Sequence, residues 1–256
     1  MITNRNPGKL IVFEGLDGSG QTTQAQLLAK WFHEKRSQPA YYTKEPSDGP
    51  IGALLKLALS HRLVTRNDRK GSKPVDSTTM ALFFAADRAD HLYNDVIPKL
   101  EDGINVISDR YYLSSLAYQS LDLDDDWILE INRHAVRPDI TFFLDVPPLV
   151  CVKRMAAQRW HVELYEDQSN LEKVRECYHA AINALRTRGE RIEVIDGNQP
   201  PVEVHRQLVT ATKSFLRSVA DTDAAKASKI AIPAEQLTLI DTSPLTESEI
   251  ATHQEG

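Results

Sequence analysis

The sequence has few cysteines and no long apolar run. Cys151 and Cys177 are the only cysteines among 256 residues, and their spacing fits no metal site. They therefore predict free thiols in a reducing compartment. No apolar run approaches the roughly eighteen residues of a membrane-spanning helix, and the N-terminal MITNRNPGK lacks the apolar segment of a secretion signal. We expect a cytoplasmic protein without a membrane span.

The chain also has no excess of positive charge, because 30 lysines and arginines face 36 aspartates and glutamates and the formal net charge at pH 7 is −6. From Asp221 onward the chain carries seven acidic residues and two lysines, a charge of −5, so residues 1–220 carry only −1. This excludes a general nucleic-acid binder and predicts a local anion site built from a few arginines. Residues 221–256 lack aromatic side chains, which predicts a mostly disordered acidic tail after one domain over 1–220.

Short apolar strands alternate with helical segments along the domain. The strands are apolar on both faces, which is typical of a parallel sheet covered by helices. The sequence therefore predicts an α/β fold with a parallel five-stranded sheet and helices on both faces. The predicted strands are Lys9–Gly15, Ala40–Thr43, Ile104–Ser108, Ile140–Val146 and Arg191–Asp196. The predicted helices cover about 21–36, 50–59, 76–101, 112–121, 123–135, 147–158, 169–188 and 201–219.

Three local patterns give further expectations. Ser169 and Glu172 have the spacing of a capping box, so we expect a helix to begin at Ser169 and to end near Gly189. Residues His61–Pro74 are polar, basic and without periodicity, which predicts an exposed connection. The histidines, His91 included, show no metal-ligand spacing and receive no role.

The stretch GLDGSGQTTQ, residues 15–24, has the spacing of a phosphate-binding loop, G-x-x-x-x-G-K-[ST]. In such a loop, backbone N–H groups and a helix N-terminus surround phosphate oxygens. An apolar strand precedes the stretch and an amphipathic helix follows it, so the context fits, and the Thr22 hydroxyl is available to Mg²⁺. The expected nucleotide-binding residues are Gly15, Asp17, Gly18, Ser19, Gly20, Gln21, Thr22 and Thr23.

Gln21 occupies the position at which this loop normally carries a lysine. The amide keeps a hydrogen-bond donor but removes a positive charge from the phosphate region. Losing one transition-state donor lowers a rate about a hundred- to a thousand-fold. We therefore expect nucleotide binding to survive, and phosphoryl transfer to survive only if another cation replaces the lysine.

Taken together, the motifs resemble those of thymidylate kinases. They are FEGLDGSGQTTQ at the loop, TKEP at 43–46, LFFAADRADH at 82–91, SDRYYLSSLAYQ at 108–119 and ELYEDQSNLEKVRECY at 163–178. The resemblance covers about Lys9–Leu216 and implies the fold of P-loop nucleoside monophosphate kinases. It also implies a homodimer formed through the 76–101 segment, and phosphoryl transfer from ATP, with Mg²⁺, to dTMP.

The resemblance assigns an acceptor site for dTMP. Phe84 would stack on thymine, Arg88 would contact the base or the phosphate, and Arg110 would contact the acceptor phosphate. Lys44, which stands where the family has an arginine, would pair with that phosphate as a point charge. The remaining acceptor residues are Asp17 near the sugar 3′-hydroxyl, Ser115, Tyr118 crowding the sugar 2′ position, and Gln119 at the base.

The resemblance also assigns a metal site and a mobile lid. Thr22 and Asp109 would hold Mg²⁺, and a lid over about 154–167 would close on ATP. Arg154 and Arg159 in that lid are the cations expected to compensate for Gln21.

Several alternatives stay open on the sequence alone. Asp109 and Arg110 could form a strand-end salt bridge, Phe84 could be core, and the lid arginines could be solvated. The chain could act on another or a modified pyrimidine monophosphate, or bind nucleotides with little catalysis because of Gln21. Residues Gln236–Ile240, QLTLI, resemble peptides that bind bacterial sliding clamps.

Overall fold

The computed structural model describes residues 1–36, 38–67, 71–157 and 164–230; for residues 67, 164–167 and 223–230 it describes the backbone alone. The chain divides into two compact units, residues 1–211 and 212–256. In the described part of the chain, the first unit holds every strand, and the second consists of helix up to Ile230. None of the described helices combines the length and hydropathy that a bilayer crossing requires.

A five-stranded sheet in the order β3-β6-β2-β8-β9 forms the centre of the first unit. Every neighbouring pair in it is parallel, which confirms the predicted sheet. Two small pairs lie outside it: β1 with β7, and β4 with β5. The strands are β1 (Ile2–Thr3), β2 (Leu10–Gly15), β3 (Ala40–Lys44), β4 (Val64–Asn67), β5 (Gly71–Pro74), β6 (Asn105–Asp109), β7 (Val136–Arg137), β8 (Ile140–Asp145) and β9 (Ile192–Asp196).

Helices connect the parallel strands, as a crossover between such strands requires. Helix α1 continues into a π-helical turn at Phe32–Arg36, and α3 continues into another at Leu92–Val96. The helices are α1 (Gln21–Trp31), α2 (Pro50–Leu59), α3 (Ser77–His91), α4 (Ile97–Glu101), α5 (Tyr112–Gln119), α6 (Asp125–Ile131), α7 (Pro148–Ala156), α8 (Leu164–Thr187) and α9 (Pro201–Ile230).

Strand β2 lies at the middle of the sheet and is buried along its whole length. Its apolar side chains join β6, β8, α5 and α8 in one core cluster. Helix α8 contributes five apolar or aromatic residues at three- and four-residue steps, and all five are buried: Leu171, Val174, Tyr178, Ile182 and Leu185. This core fixes the carboxyl ends of β2 and β6, where the candidate site forms.

Three sequence expectations differ from the structure. Helix α8 begins at Leu164 rather than at Ser169, because helix-compatible residues precede the capping-box pattern. Residues 61–74 were expected to be an exposed connection, and within this stretch β4 and β5 form an antiparallel pair. Helix α9 extends to Ile230 rather than ending near residue 219, because alanine and lysine in this stretch favour helix.

Candidate active site

The phosphate-binding loop lies between β2 and α1. Gly18 and Gly20 have φ angles of 84° and 94°, in the left-handed region that glycine adopts without strain. A side chain at Gly18 would also place its Cβ 2.7 Å from the carbonyl oxygen of Cys151. Helix α1 begins at Gln21, so its first-turn N–H groups have no intrahelical partners and are available to an anion.

A cavity of about 530 Å³, here called the donor cavity, opens beside this loop. Arg154, in the last turn of α7, donates hydrogen bonds to the carbonyl oxygens of Ser19 at 3.2 Å and Gly197 at 3.2 Å. Among the described residues that line the cavity, Arg154 is the only one with a positive side chain. The lining consists of residues 17–24, Arg154, Gly197, Gln199, Pro201 and Val204.

Two polar groups of the loop face the donor cavity without a partner. The hydroxyl oxygen of Ser19 and the amide oxygen of Gln21 are buried and have no hydrogen-bond partner within the described ranges. Buried polar atoms are normally satisfied, so unsatisfied ones beside a cavity point to a ligand. An amide can present either its oxygen or its NH₂ group, and the Gln21 side chain can therefore still donate to a phosphate oxygen.

A threonine–aspartate pair lies where the loop meets the end of β6. The Thr22 hydroxyl donates to Oδ2 of Asp109 at 2.5 Å, and the Tyr42 hydroxyl donates to the same oxygen at 3.3 Å. The second oxygen, Oδ1, is buried and has no partner within the described ranges. Burial raises the pKa of Asp109, although the hydrogen bond from Thr22 and the charge of Arg110 oppose the rise. A hydroxyl and a carboxylate with a free oxygen fit Mg²⁺.

A second cavity of about 430 Å³, here called the acceptor cavity, is lined by Asp17 of the loop and by residues of α3 and α5. Asp17 lines both cavities, so the two meet at the phosphate-binding loop. The acceptor cavity brings together seven residues assigned from the sequence: Asp17, Phe84, Arg88, Arg110, Ser115, Tyr118 and Gln119. The amide oxygen of Gln119 is buried and unpartnered within the described ranges, which again points to a ligand.

Arg110 directly follows β6 and reaches across to the loop. Its Nη2 donates to Oδ1 of Asp17 at 2.7 Å, and its Nη1 donates to the Ser114 hydroxyl at 2.9 Å. The guanidinium also lies over the ring of Tyr118, 5.2 Å from the centroid. The backbone of Arg110 has a φ angle of 73°, an uncommon conformation for a residue other than glycine that is concentrated at functional sites.

Arg88 extends from α3 into the wall of the acceptor cavity and is buried. Its Nε donates to Oε2 of Glu45 at 2.9 Å, and its Nη2 donates to the Ser115 hydroxyl at 3.2 Å. A further hydrogen bond joins Nη1 to the side-chain oxygen of Asn132. The buried charge is thus paired and held in one orientation, as a buried arginine requires.

Three of the described residues assigned from the sequence, Lys44, Gly15 and Asp109, line neither cavity. Lys44 is not part of the lining of the acceptor cavity; its ammonium lies 3.6 Å from Asp48 on the surface. Arg159 lies outside the described residues. Gly15 ends β2 and lines neither cavity. A Cβ atom added at Gly15 would lie only 2.6 Å from the Ser19 hydroxyl oxygen, so the position has no room for a side chain.

The sequence analysis missed two buried glutamates. Glu14 accepts hydrogen bonds from the backbone N–H groups of Tyr111 at 2.9 Å and Ser114 at 3.1 Å, and from the Tyr178 hydroxyl at 3.1 Å. Burial raises its pKa to about 7. Glu45 holds Arg88, as described above. An acid at the end of an apolar strand was the available signal for Glu14, and the TKEP motif contained Glu45.

The sequence is also similar to those of known proteins. The family model for thymidylate kinase matches residues 13–208. A protein from Thermococcus kodakarensis named "Probable thymidylate kinase" is 39% identical over 210 residues, covering 80% of this chain and 98% of the relative. Proteins of the same name from Thermococcus gammatolerans and Pyrobaculum aerophilum are 38% and 39% identical, covering 79% and 81% of this chain and 94% and 97% of the relatives.

Proposed function

The chain belongs to the thymidylate kinase family, and from this premise we propose that it transfers the γ-phosphoryl group of ATP to dTMP, giving dTDP and ADP. The observation that carries the proposal is the meeting of two cavities at Asp17. A kinase of this kind must bring two anionic nucleotides together, so its catalysis consists mainly of positioning and charge neutralisation.

The donor cavity has the groups that ATP phosphates require. Backbone N–H groups of the loop and of the first turn of α1 supply neutral donors, and the side chains of Ser19 and Gln21 supply further polar contacts. Thr22 and Asp109 would hold Mg²⁺, with its other ligands coming from phosphate oxygens and water. When bound, the ion neutralises negative charge on the β- and γ-phosphates.

Arg154 is the cation that replaces the missing lysine in this account. It already donates to the loop carbonyl of Ser19 and borders the same cavity as Gln21. A guanidinium has five N–H donors in a planar arrangement that matches phosphate oxygens. A rotation of the side chain from the loop carbonyls towards the phosphates would supply the charge that Gln21 lacks. Arg159 remains a second candidate from the sequence.

The acceptor cavity supports dTMP as the phosphoryl acceptor. Phe84 offers an aromatic face for the base, and the unpartnered amide of Gln119 offers hydrogen bonds to its edge. Arg88 and Arg110 supply positive charge for the acceptor phosphate. The Tyr118 hydroxyl accepts a hydrogen bond from the Asp17 N–H at 3.3 Å. This contact with the loop supports the expectation that Tyr118 crowds the sugar 2′ position of the acceptor and disfavours a ribose.

A steady-state assay with ATP and Mg²⁺ tests the proposal. We expect dTDP to form with dTMP, and kcat/KM to be lower with dUMP, CMP and the ribonucleotide of thymine. Higher kcat/KM with another pyrimidine monophosphate would reassign the acceptor. Gln21 favours one further candidate, a nucleotide-binding protein with little catalysis. ATP binding in calorimetry with no dTDP formed would select that candidate.

Three finer expectations extend the proposal. A homodimer formed through the 76–101 segment is supported by the exposed side chains of Leu82 and Tyr93, and light scattering on the purified protein would test it.

A cytoplasmic location stays a prediction. The segment Gln236–Ile240 lies outside the described residues, so the sliding-clamp contact also stays a prediction, tested by clamp affinity after deletion of residues 231–256.

A further inference from the structure

A glutamate–histidine pair lies behind the acceptor cavity. Oε2 of Glu45 lies 2.9 Å from Nε and 2.8 Å from Nη2 of Arg88, whereas its Oε1 is buried and has no hydrogen-bond partner in the described part of the chain. Nδ1 of His91 is also buried and unpartnered there, and it lies 3.5 Å from that oxygen. Two unsatisfied buried groups that face each other are costly unless they interact.

The other ring nitrogen fixes the position of His91. Nε2 lies 2.7 Å from the Thr43 hydroxyl and 3.5 Å from Oδ2 of Asp95. Thr43 belongs to β3, and Asp95 belongs to the π-helical turn that extends α3. His91 itself ends α3 and does not line the acceptor cavity. The imidazole therefore connects β3 with α3, one layer behind the residues that would contact a nucleotide.

The charges around His91 favour its protonated form. Burial opposes the charge, but Glu45, Asp95 and Asp87 outweigh burial and raise the pKa of His91. Asp87 belongs to α3 and accepts hydrogen bonds from the N–H of Ser47 at 2.8 Å and from its hydroxyl at 2.5 Å. Two cations share these carboxylates with His91: Arg88 pairs with Glu45, and Lys99 of α4 pairs with Asp95.

We propose that His91 is a positioning residue for the acceptor nucleotide: as an imidazolium it holds Oε1 of Glu45, and Glu45 thereby holds the guanidinium of Arg88 in the wall of the acceptor cavity. Loss of the proton removes the positive charge that faces Oε1, so Glu45 keeps its ion pair with Arg88 but loses its electrostatic attraction to His91. Arg88 then loses part of its fixed orientation. The inference rests on the proposed dTMP kinase reaction, because dTMP binding is the function that Arg88 serves.

The first test is the pH dependence of the kinetics with dTMP between pH 6 and pH 9. As the pH rises through the pKa of His91, we expect KM for dTMP to rise about three- to tenfold, since only part of one charge-assisted hydrogen bond reaches Arg88. The kcat value at saturating dTMP should change little over the same titration. The phosphate group of dTMP also gains negative charge near pH 6, and this changes KM with pH as well. The His91→Asn variant shows that contribution without the histidine and therefore serves as the baseline.

In His91→Asn, KM for dTMP should equal the high-pH value of the wild type and should lose the additional pH dependence. His33→Asn is the matched control, because His33 is exposed and contacts only the Ala40 carbonyl oxygen among the described partners. It should behave as the wild type does. A His91→Asn variant that keeps the wild-type pH profile of KM would overturn the inference. A parallel fall in kcat and thermal stability without any change in that profile would also overturn it, because it indicates a purely structural role.

A titration by nuclear magnetic resonance tests the contact without reference to turnover. In protein labelled with ¹⁵N-histidine, the His91 imidazole should titrate above the ordinary value of about 6.5, and Glu45→Gln should lower its pKa. An unchanged pKa in Glu45→Gln would overturn the inference. If the wild type forms no dTDP, the proposed function fails while this titration still decides the histidine contact. If the wild type is active, the midpoint of its profile of KM for dTMP against pH must match the His91 pKa from the resonance titration. This comparison needs no variant.

Discussion

Glu14 gives a quantitative prediction about stability. This carboxyl group is buried between β2, α5 and α8 and is surrounded by four hydrogen bonds, from two backbone N–H groups and two hydroxyls. Burial raises its pKa from an ordinary 4.5 to about 7. The folded protein therefore binds the proton more tightly than the unfolded chain does. The stability that Glu14 contributes is fully present below pH 4.5 and is lost as the pH rises through 7.

The magnitude follows from that difference in pKa. It corresponds to roughly 2 to 3 kcal/mol of unfolding free energy lost between pH 5 and pH 8. The assay is urea denaturation at several pH values in that interval, comparing the wild type with Glu14→Gln. A glutamine is close in shape to the protonated acid and cannot titrate. Its amide oxygen can accept from the two backbone N–H groups, and its NH₂ group can donate to the Ser114 and Tyr178 hydroxyls.

Other buried carboxyl groups, such as Asp139 and Glu190, also have raised pKa values. They contribute equally to the pH dependence of the unfolding free energy in the wild type and in Glu14→Gln. The difference between the two pH profiles therefore reports Glu14 alone. We expect the difference in unfolding free energy to change by about 2 to 3 kcal/mol across the interval. Parallel profiles with the same slope would refute the reasoning.

The parallel sheet was predictable because the residues of each single strand already indicate that both of its faces are buried. Residues of β2 and β8 are apolar on both faces, and only a sheet covered on both sides buries such strands. The sequence also predicted the helix that ends near Gly189. It did not predict that this helix begins at Leu164, since the residues before Ser169 are also helix-compatible and the capping-box pattern only suggested a boundary.

The candidate site was predictable to the extent that a local motif carried it. The loop residues and the Asp109–Arg110 pair follow strands directly, so the topology brings them together. Arg88 was assigned, but its partner Glu45 lies 43 positions away along the chain, and no spacing rule connects the two. His91 received no role for the same reason: its contacts with Thr43 and Glu45 exist only after α3 packs beside β3.

Two further substitutions test the loop and the metal site. Gly18→Ala should destabilise the protein by about 1 to 3 kcal/mol and raise KM for ATP, because alanine is strained at a positive φ and its Cβ meets the Cys151 carbonyl. Thermal unfolding and kinetics with varied ATP would measure both effects. Wild-type values in both measurements would contradict the prediction. Asp109→Asn should lower kcat about a hundredfold or more at ordinary Mg²⁺ concentrations, and a higher Mg²⁺ concentration should restore part of it. An unchanged dependence of the rate on Mg²⁺ would remove Asp109 from the metal site.

The most direct test of the account is a double-mutant cycle between Gln21 and Arg154, measured as kcat for dTDP formation from ATP and dTMP. If Arg154 supplies the charge that the loop lacks, Arg154→Ala should lower kcat about a hundred- to a thousand-fold when Gln21 is present. The same substitution should have an effect at least about ten times smaller in a Gln21→Lys background, because the two positions then share one role. An equal loss of kcat in both backgrounds, or no loss in the wild type, would contradict the account.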